Sequence, residues 1–207
     1  MQIKKAVVLS VCSLISCFFC ANGFAEPVAF TRFADFVSAS PVPVSKLDFD
    51  HLEPGTTIAK ASSAGGITFE YDFGGIPMKI AHLYATTSTP NFLGTGDGGM
   101  FHDGDDFSLS FPEGHAIGLF FITADPMFDG DLTLTAGGTT ASLSTANMEK
   151  RLPDGSSVYF LGIVDRDASL SRADIVALAG GFFLFNVDDI VTAPAPTTTA
   201  KVEFEQP

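Results

Sequence analysis

Short runs of Ile, Val, Phe, Tyr and Thr, many of them alternating with polar residues and closed by glycine-containing turns, recur between Lys46 and Ile190. This constrains the chain more than any other feature. A period of two sends successive side chains to opposite faces, which suits a half-buried strand and not a helix. Ile67, Phe69 and Tyr71 point one way while Thr68, Glu70 and Asp72 point the other. Phe107, Leu109 and Phe111 alternate with Ser108 and Ser110, and Leu132 and Leu134 with Thr133 and Thr135. Between the runs stand Gly65-Gly66, Gly74-Gly75, Gly98-Gly99, Gly137-Gly138, Asp154-Gly155 and Gly180-Gly181, the punctuation of antiparallel strands. Residues 116–124 and 158–164 are almost continuously apolar, which predicts central strands covered on both faces. The expectation is an all-β fold, an antiparallel two-sheet β-sandwich of about ten to twelve strands and jelly-roll-like. Within this region only residues 169–179 have the texture of a helix.

The flanks differ from this pattern. Residues 26–45 carry Phe30, Phe33 and Phe36 at a spacing of three, followed by Pro41 and Pro43, and read as an N-terminal arm that is either a short helix or a wrapped segment. The sandwich is expected over 46–191. Residues 192–207 open with a Thr/Pro-rich stretch that reads as a linker, and 201–205 alternate again as an edge strand or tail.

Lys4-Lys5, an apolar run over 6–20 and the small residues Gly23 and Ala25 have the order of a secretory signal peptide, with cleavage expected after Ala25. That run is shorter than the roughly 20 residues a membrane span needs. The alternative is a lipid anchor, since Leu14-Ile15-Ser16-Cys17 resembles a bacterial lipobox; Cys17 would then be the modified residue. Cys12, Cys17 and Cys20 all lie in the leader, so the remaining chain offers no disulfide and no thiol nucleophile. Secretion to an extracellular or periplasmic compartment is the expectation. Against 24 Asp and Glu the chain sets only 11 Lys and Arg, which excludes the basic face that a nucleic-acid partner requires.

The residues that might carry chemistry are few. A Gly-rich acidic loop over 94–106 places Asp97, Asp103, Asp105 and Asp106 close together, and its carboxylates are the hard oxygen ligands that Ca²⁺ prefers; the competing reading is a solvated turn before Phe107. His51, His82, His102 and His115 have no metal-ligand spacing, and no G-x-S-x-G elbow is present. Trp is absent and Tyr is limited to Tyr71, Tyr84 and Tyr159, so a flat aromatic platform for crystalline polysaccharide is not expected.

Leu47-Asp48-Phe49-Asp50 at the first strand and Asn186-Val187-Asp188-Asp189-Ile190 on the last resemble the opening and closing motifs of secreted bacterial jelly-roll modules of the carbohydrate-binding kind. Together with residues 47–58, 66–69, 89–94 and 159–163 they are also similar to the ectodomains of exported proteins with PEP-CTERM sorting tails. No Pro-Glu-Pro motif with an apolar segment and basic tail precedes Pro207, so release is expected over sorting by that route. The resemblance implies a structural Ca²⁺ on Asp50, Asp188 and Asp189, with Asp48 a weaker candidate. It also implies a non-catalytic role in binding a glycan or surface, for which the polar loop groups Asn91, Asp97, His102 and Asp103 are the candidates. A structural or interaction protein of the envelope or matrix is the alternative, and a small glycan-active enzyme the third.

Overall fold

The structure, a computed structural model, describes residues 26–71, 73–167 and 169–195. The leader with Cys17 and the tail over 196–207 lie outside the described residues. In chain order the elements are β1 (Val28–Phe30), α1 (Phe33–Ala39), β2 (Ser45–Leu47), β3 (Thr57–Ile58), β4 (Ser62–Ala64), β5 (Ile67–Glu70), β6 (Met78–Ala81), β7 (Phe92–Thr95) and β8 (Phe101–His102). They continue with β9 (Phe107–Thr123), β10 (Leu132–Ala136), β11 (Thr139–Ser142), β12 (Lys150–Arg151), β13 (Ser157–Val164), β14 (Leu170–Ala177) and β15 (Leu184–Pro194). All pairings are antiparallel, as the sequence predicts for an all-β sandwich, and the sheet does not close into a barrel.

The 17-residue β9 organises the two layers. Its first part pairs with β5 and β14, through Leu109 with Phe69 and with Ala173. Beyond Pro112-Glu113-Gly114, where the register with β14 shifts, it pairs with β13 and β15, through Phe121 with Tyr159 and with Val187. One strand thus belongs to both layers, and the main core lies between them. Ile117, Leu119 and Phe121 of β9 and Tyr159, Leu161 and Ile163 of β13 point into that core. The intervening Ala116, Phe120, Ile122, Val158, Phe160 and Val164 form a second apolar cluster on the outer face.

That second cluster explains the continuous apolar runs. A strand is apolar on both faces only where both are covered, and here α1 covers the outer one. Phe36 is fully buried, with its ring centroid 5.0 Å from that of Phe160, and Phe33 lies 5.1 Å from Phe120. A Cβ at residue 162 would come within 2.6 Å of the Phe36 ring, so Gly162 is what lets the helix approach. The arm therefore combines both expectations, a short helix preceded by strand β1, which pairs with β13. Pro41 and Pro43 follow the helix end at Ala39, as their missing N–H groups require.

Residues 169–179 are not helical. They form β14, paired between β9 and β10, with Leu170, Ala173, Ile175 and Ala177 buried, because the period-two placement of Ala173, Ile175 and Ala177 turns them into the main core. Among the described residues no helix is long and apolar enough to cross a membrane.

Candidate functional site

Two features meet at the loop over residues 82–91, which joins β6 to β7. The first is a seam in β15. Val187 pairs with Leu93 of β7, whereas Ile190 pairs with Leu47 of β2, so the strand changes neighbours across Asp188 and Asp189. Register with β9 also shifts there, and Asp189 takes a left-handed φ of 52°. The irregularity turns both side chains into the protein, where Asp188 and Asp189 are almost wholly buried.

A buried carboxylate requires donors or a counter-charge. Asp188 Oδ2 accepts hydrogen bonds from Thr87 N at 2.9 Å, Thr87 Oγ1 at 2.7 Å and Ser88 N at 3.0 Å. Asp189 Oδ2 accepts from Thr87 Oγ1 at 2.8 Å and from the Lys46 ammonium at 2.8 Å. Asp189 Oδ1 is buried and has no hydrogen-bond partner. Burial, and next the neighbouring Asp189, push the Asp188 carboxyl up to about 7, against the donors from Ser88 and Thr87. Thr87, Ser88 and Lys46 are the functional residues that sequence reasoning missed; only a polar Thr-Thr-Ser-Thr run over 86–89 marked the first two.

Asp50 makes a different contact. Its Oδ1 accepts from the backbone N–H of Asn91 at 3.0 Å, while Asn91 Nδ2 donates to Leu52 O at 2.8 Å and to Phe49 O at 3.3 Å. Asn91 is buried at 1% exposure, so its amide fastens the turn after β2 to the start of β7 and does not face solvent. Asp48 Oδ1 accepts from Asp50 N at 3.1 Å, closing that turn. The structure brings Asp188 and Asp189 together as a pair; among the described residues no three His, Cys, Asp or Glu side chains form a metal-holding group.

The second feature is an open groove of about 440 Å³ lined by Pro54, Gly55, Lys79, His82, Leu83 and Asp97, with a neighbouring hollow of about 360 Å³ that shares Gly55, Lys79 and Asp97. Its floor is β6 and its far wall the loop over 95–100. That loop folds back so tightly that a Cβ at residue 94 would stand 2.0 Å from Gly99 O, which only Gly94 permits. The Thr95 hydroxyl, 2.7 Å from Asp97 Oδ1, holds the Asp97 carboxyl below its ordinary range, so it faces the groove ionised. Next to the groove Tyr84 is 47% exposed.

Asp97 is thus the one candidate binding residue in a cavity. Asp103 does not line the groove; its Oδ2 accepts from Gly180 N at 2.7 Å and Phe182 N at 3.2 Å, and the Phe182 N–H foremost holds its carboxyl low. His102 is exposed on β8, and its backbone N–H donates to Asp105 Oδ2 at 2.7 Å.

No protein-family model matches the chain, and no curated protein matches it in sequence. Among solved structures it is similar to the isomalto-dextranase of Arthrobacter globiformis T6 complexed with panose, at TM-score 0.33 and 14% identity over 80% of this chain and 34% of that one. It is also similar to an arabinose-bound α-L-arabinofuranosidase, at TM-score 0.28 and 12% identity over 70% of this chain and 26% of that one. The chain spans about a third or less of the length of these two structures, and likenesses so distant assign neither a site nor an activity.

Proposed function

We propose that the protein is a secreted, non-catalytic β-sandwich that binds a glycan in the groove between residues 54–55, β6 and the loop over 95–100. The observation that carries the reading is the groove's mixture of groups. An ionised Asp97 accepts hydrogen bonds from sugar hydroxyls, Lys79 and His82 supply donors, and Leu83 offers an apolar face to ring C–H groups. The seam supports this site mechanically, because Asp188 anchors residues 87–88 of the loop whose other end forms the groove wall. Retention on a panel of soluble and insoluble polysaccharides, with reducing-sugar release followed in the same samples, tests the reading. Retention without release supports it. Release would make the protein a glycan-active enzyme, and failure to retain any of them would favour a structural envelope component.

We also propose a structural calcium ion at the seam, on Asp188 and Asp189 of the three carboxylates that the family resemblance implies, since Asp50 Oδ1 accepts from the Asn91 N–H instead. Support comes from Asp189 Oδ1, a buried carboxylate oxygen without a hydrogen-bond partner. Hard oxygen donors of this kind suit Ca²⁺. Lys46 already lies on Asp189 Oδ2, so an ion would replace the ammonium as counter-charge. Bound there, the ion would supply fixation of the β15 bulge and of the loop that Asp188 anchors.

A further inference from the structure

Three loops interlock, and none of their residues lines the groove. Residues 102–106 are tied to 177–183 by Gly104 N to Ala177 O at 2.9 Å, Asp103 N to Phe183 O at 3.0 Å and the two Asp103 carboxylate contacts. Residues 125–131 join them through Leu184 N to Asp125 Oδ2 at 2.8 Å and Leu178 N to Asp131 O at 2.8 Å. These bonds hold three large apolar side chains out in water, with Phe182 91%, Phe128 67% and Leu178 57% exposed.

Phe182 is the most telling of them. It takes a left-handed φ of 55°, a conformation that a bulky residue adopts only where its surroundings impose it. Asp103 imposes it by accepting from the N–H groups on either side of Gly181. Among the described residues the displayed phenyl ring serves no packing purpose, since the core there is filled by Phe183 and Phe185.

The formal charges carried by these three loops are of one sign, with His102 the one titratable side chain among them that is not acidic. Asp103, Asp106, Asp125 and Asp129 each commit one carboxylate oxygen to hydrogen bonds from these loops or from Thr145. Backbone donors, from Phe182 foremost for Asp103 and from Thr145 foremost for Asp129, keep those two carboxyls low and hence ionised. No Lys or Arg occurs in the sequence between Lys79 and Lys150 or between Arg172 and Lys201, so all three loops lack one. A second copy of the chain or an anionic lipid surface would meet like charge at this rim.

From this complementarity we propose that the tip is a docking surface for an arginine-bearing, apolar segment of a partner protein. Guanidinium groups stack on exposed phenyl rings and pair with the free carboxylate oxygens, while the segment's apolar side chains cover Leu178 and Phe128. None of these residues lines the groove, so the surface does not depend on the glycan reading.

The test is fluorescence anisotropy of a labelled synthetic peptide of alternating arginine and leucine, titrated with the full chain. Binding should weaken with salt and fall at least tenfold in Phe128→Ser/Phe182→Ser. Phe182→Gly separates docking from folding, since glycine accepts the left-handed φ: its melting temperature should rise while its peptide affinity falls. Equal binding by the wild type and the double variant, or no binding at all, would overturn the proposal. So would binding to phosphatidylcholine or phosphatidylglycerol vesicles, or dimerisation in sedimentation, that the double variant loses, since a lipid or a second copy would then be the occupant.

Discussion

Asp188 and Asp189 share a single hydroxyl, with Thr87 Oγ1 2.7 Å from Asp188 Oδ2 and 2.8 Å from Asp189 Oδ2. A hydroxyl has one proton to give, so both short contacts are favourable together only when a carboxyl proton supplies the second. The Asp188 carboxyl, raised by burial and by Asp189, is the source of that proton near neutrality.

The pH dependence follows in sign. The Asp188 pKa rises on folding from 3.8 to about 7, so the native state holds a proton that the unfolded chain gives up in that interval. Its contribution to stability is complete below the unfolded value and is lost as pH rises through about 7. Urea unfolding between pH 5 and 8 should show stability falling with pH, and Asp188→Asn should flatten that slope. An unchanged slope in Asp188→Asn would assign the dependence to other groups.

Lys46→Met should destabilise the protein by about 1–3 kcal/mol in EDTA, because it leaves the buried Asp189 carboxylate without its counter-charge; the half-exposed lysine keeps the figure below that of a fully buried pair. Combining it with Asp189→Asn should recover part of the loss in a denaturant titration.

Millimolar Ca²⁺ should raise the melting temperature relative to EDTA, by an amount that grows with concentration and reaches about 2.7 kcal/mol at a hundred times the dissociation constant. The rise should vanish in Asp189→Ala, and the cost of Lys46→Met should shrink in Ca²⁺, since ion and ammonium do the same electrostatic work. A calcium response that survives Asp189→Ala would place the ion elsewhere.

Asn91→Ala should lower stability and not act selectively on ligand affinity. It removes the amide that holds Phe49 O and Leu52 O and leaves those acceptors unmet, at a cost of about 1–3 kcal/mol each where water cannot reach them. Calorimetric unfolding of the variant measures it.

Phe36→Ala should cost about 3–5 kcal/mol, as truncation of a fully buried phenylalanine does. The loss should come mainly from detaching α1, read as faster hydrogen exchange in residues 28–39 ahead of the central strands.

Strand texture is legible in this sequence because period-two alternation is a local property, as in Ile67, Phe69 and Tyr71. The continuous runs at 116–124 and 158–164 announce cover on both faces, but the identity of the cover is not local: Phe30, Phe33 and Phe36 suggest a short helix or a wrapped arm and say nothing of Gly162, whose missing side chain lets the Phe36 ring lie on the outer face. The texture of 169–179 suggests a helix, but pairing between β9 and β10 turns Ala173, Ile175 and Ala177 together into the core. Asp188 and Asp189 stand out in sequence, whereas Thr87 and Lys46 reach them only through strand order, across 101 and 143 positions of chain. Asn91 and Asp97 look alike as polar loop residues; register buries the first and a tight turn exposes the second.

Glycan binding in the groove beside Asp97 is tested by one experiment above all. That experiment is calorimetric titration of the polysaccharide that the protein retains best, with wild type, Asp97→Asn and Lys79→Ala in parallel. Saturable binding by the wild type is expected, weakened at least tenfold in either variant, with Lys79→Ala keeping the wild-type melting temperature and Asp97→Asn folded but somewhat less stable for loss of the charge that Thr95 favours. Equal affinity in all three proteins, or no saturable binding of any polysaccharide, would contradict it.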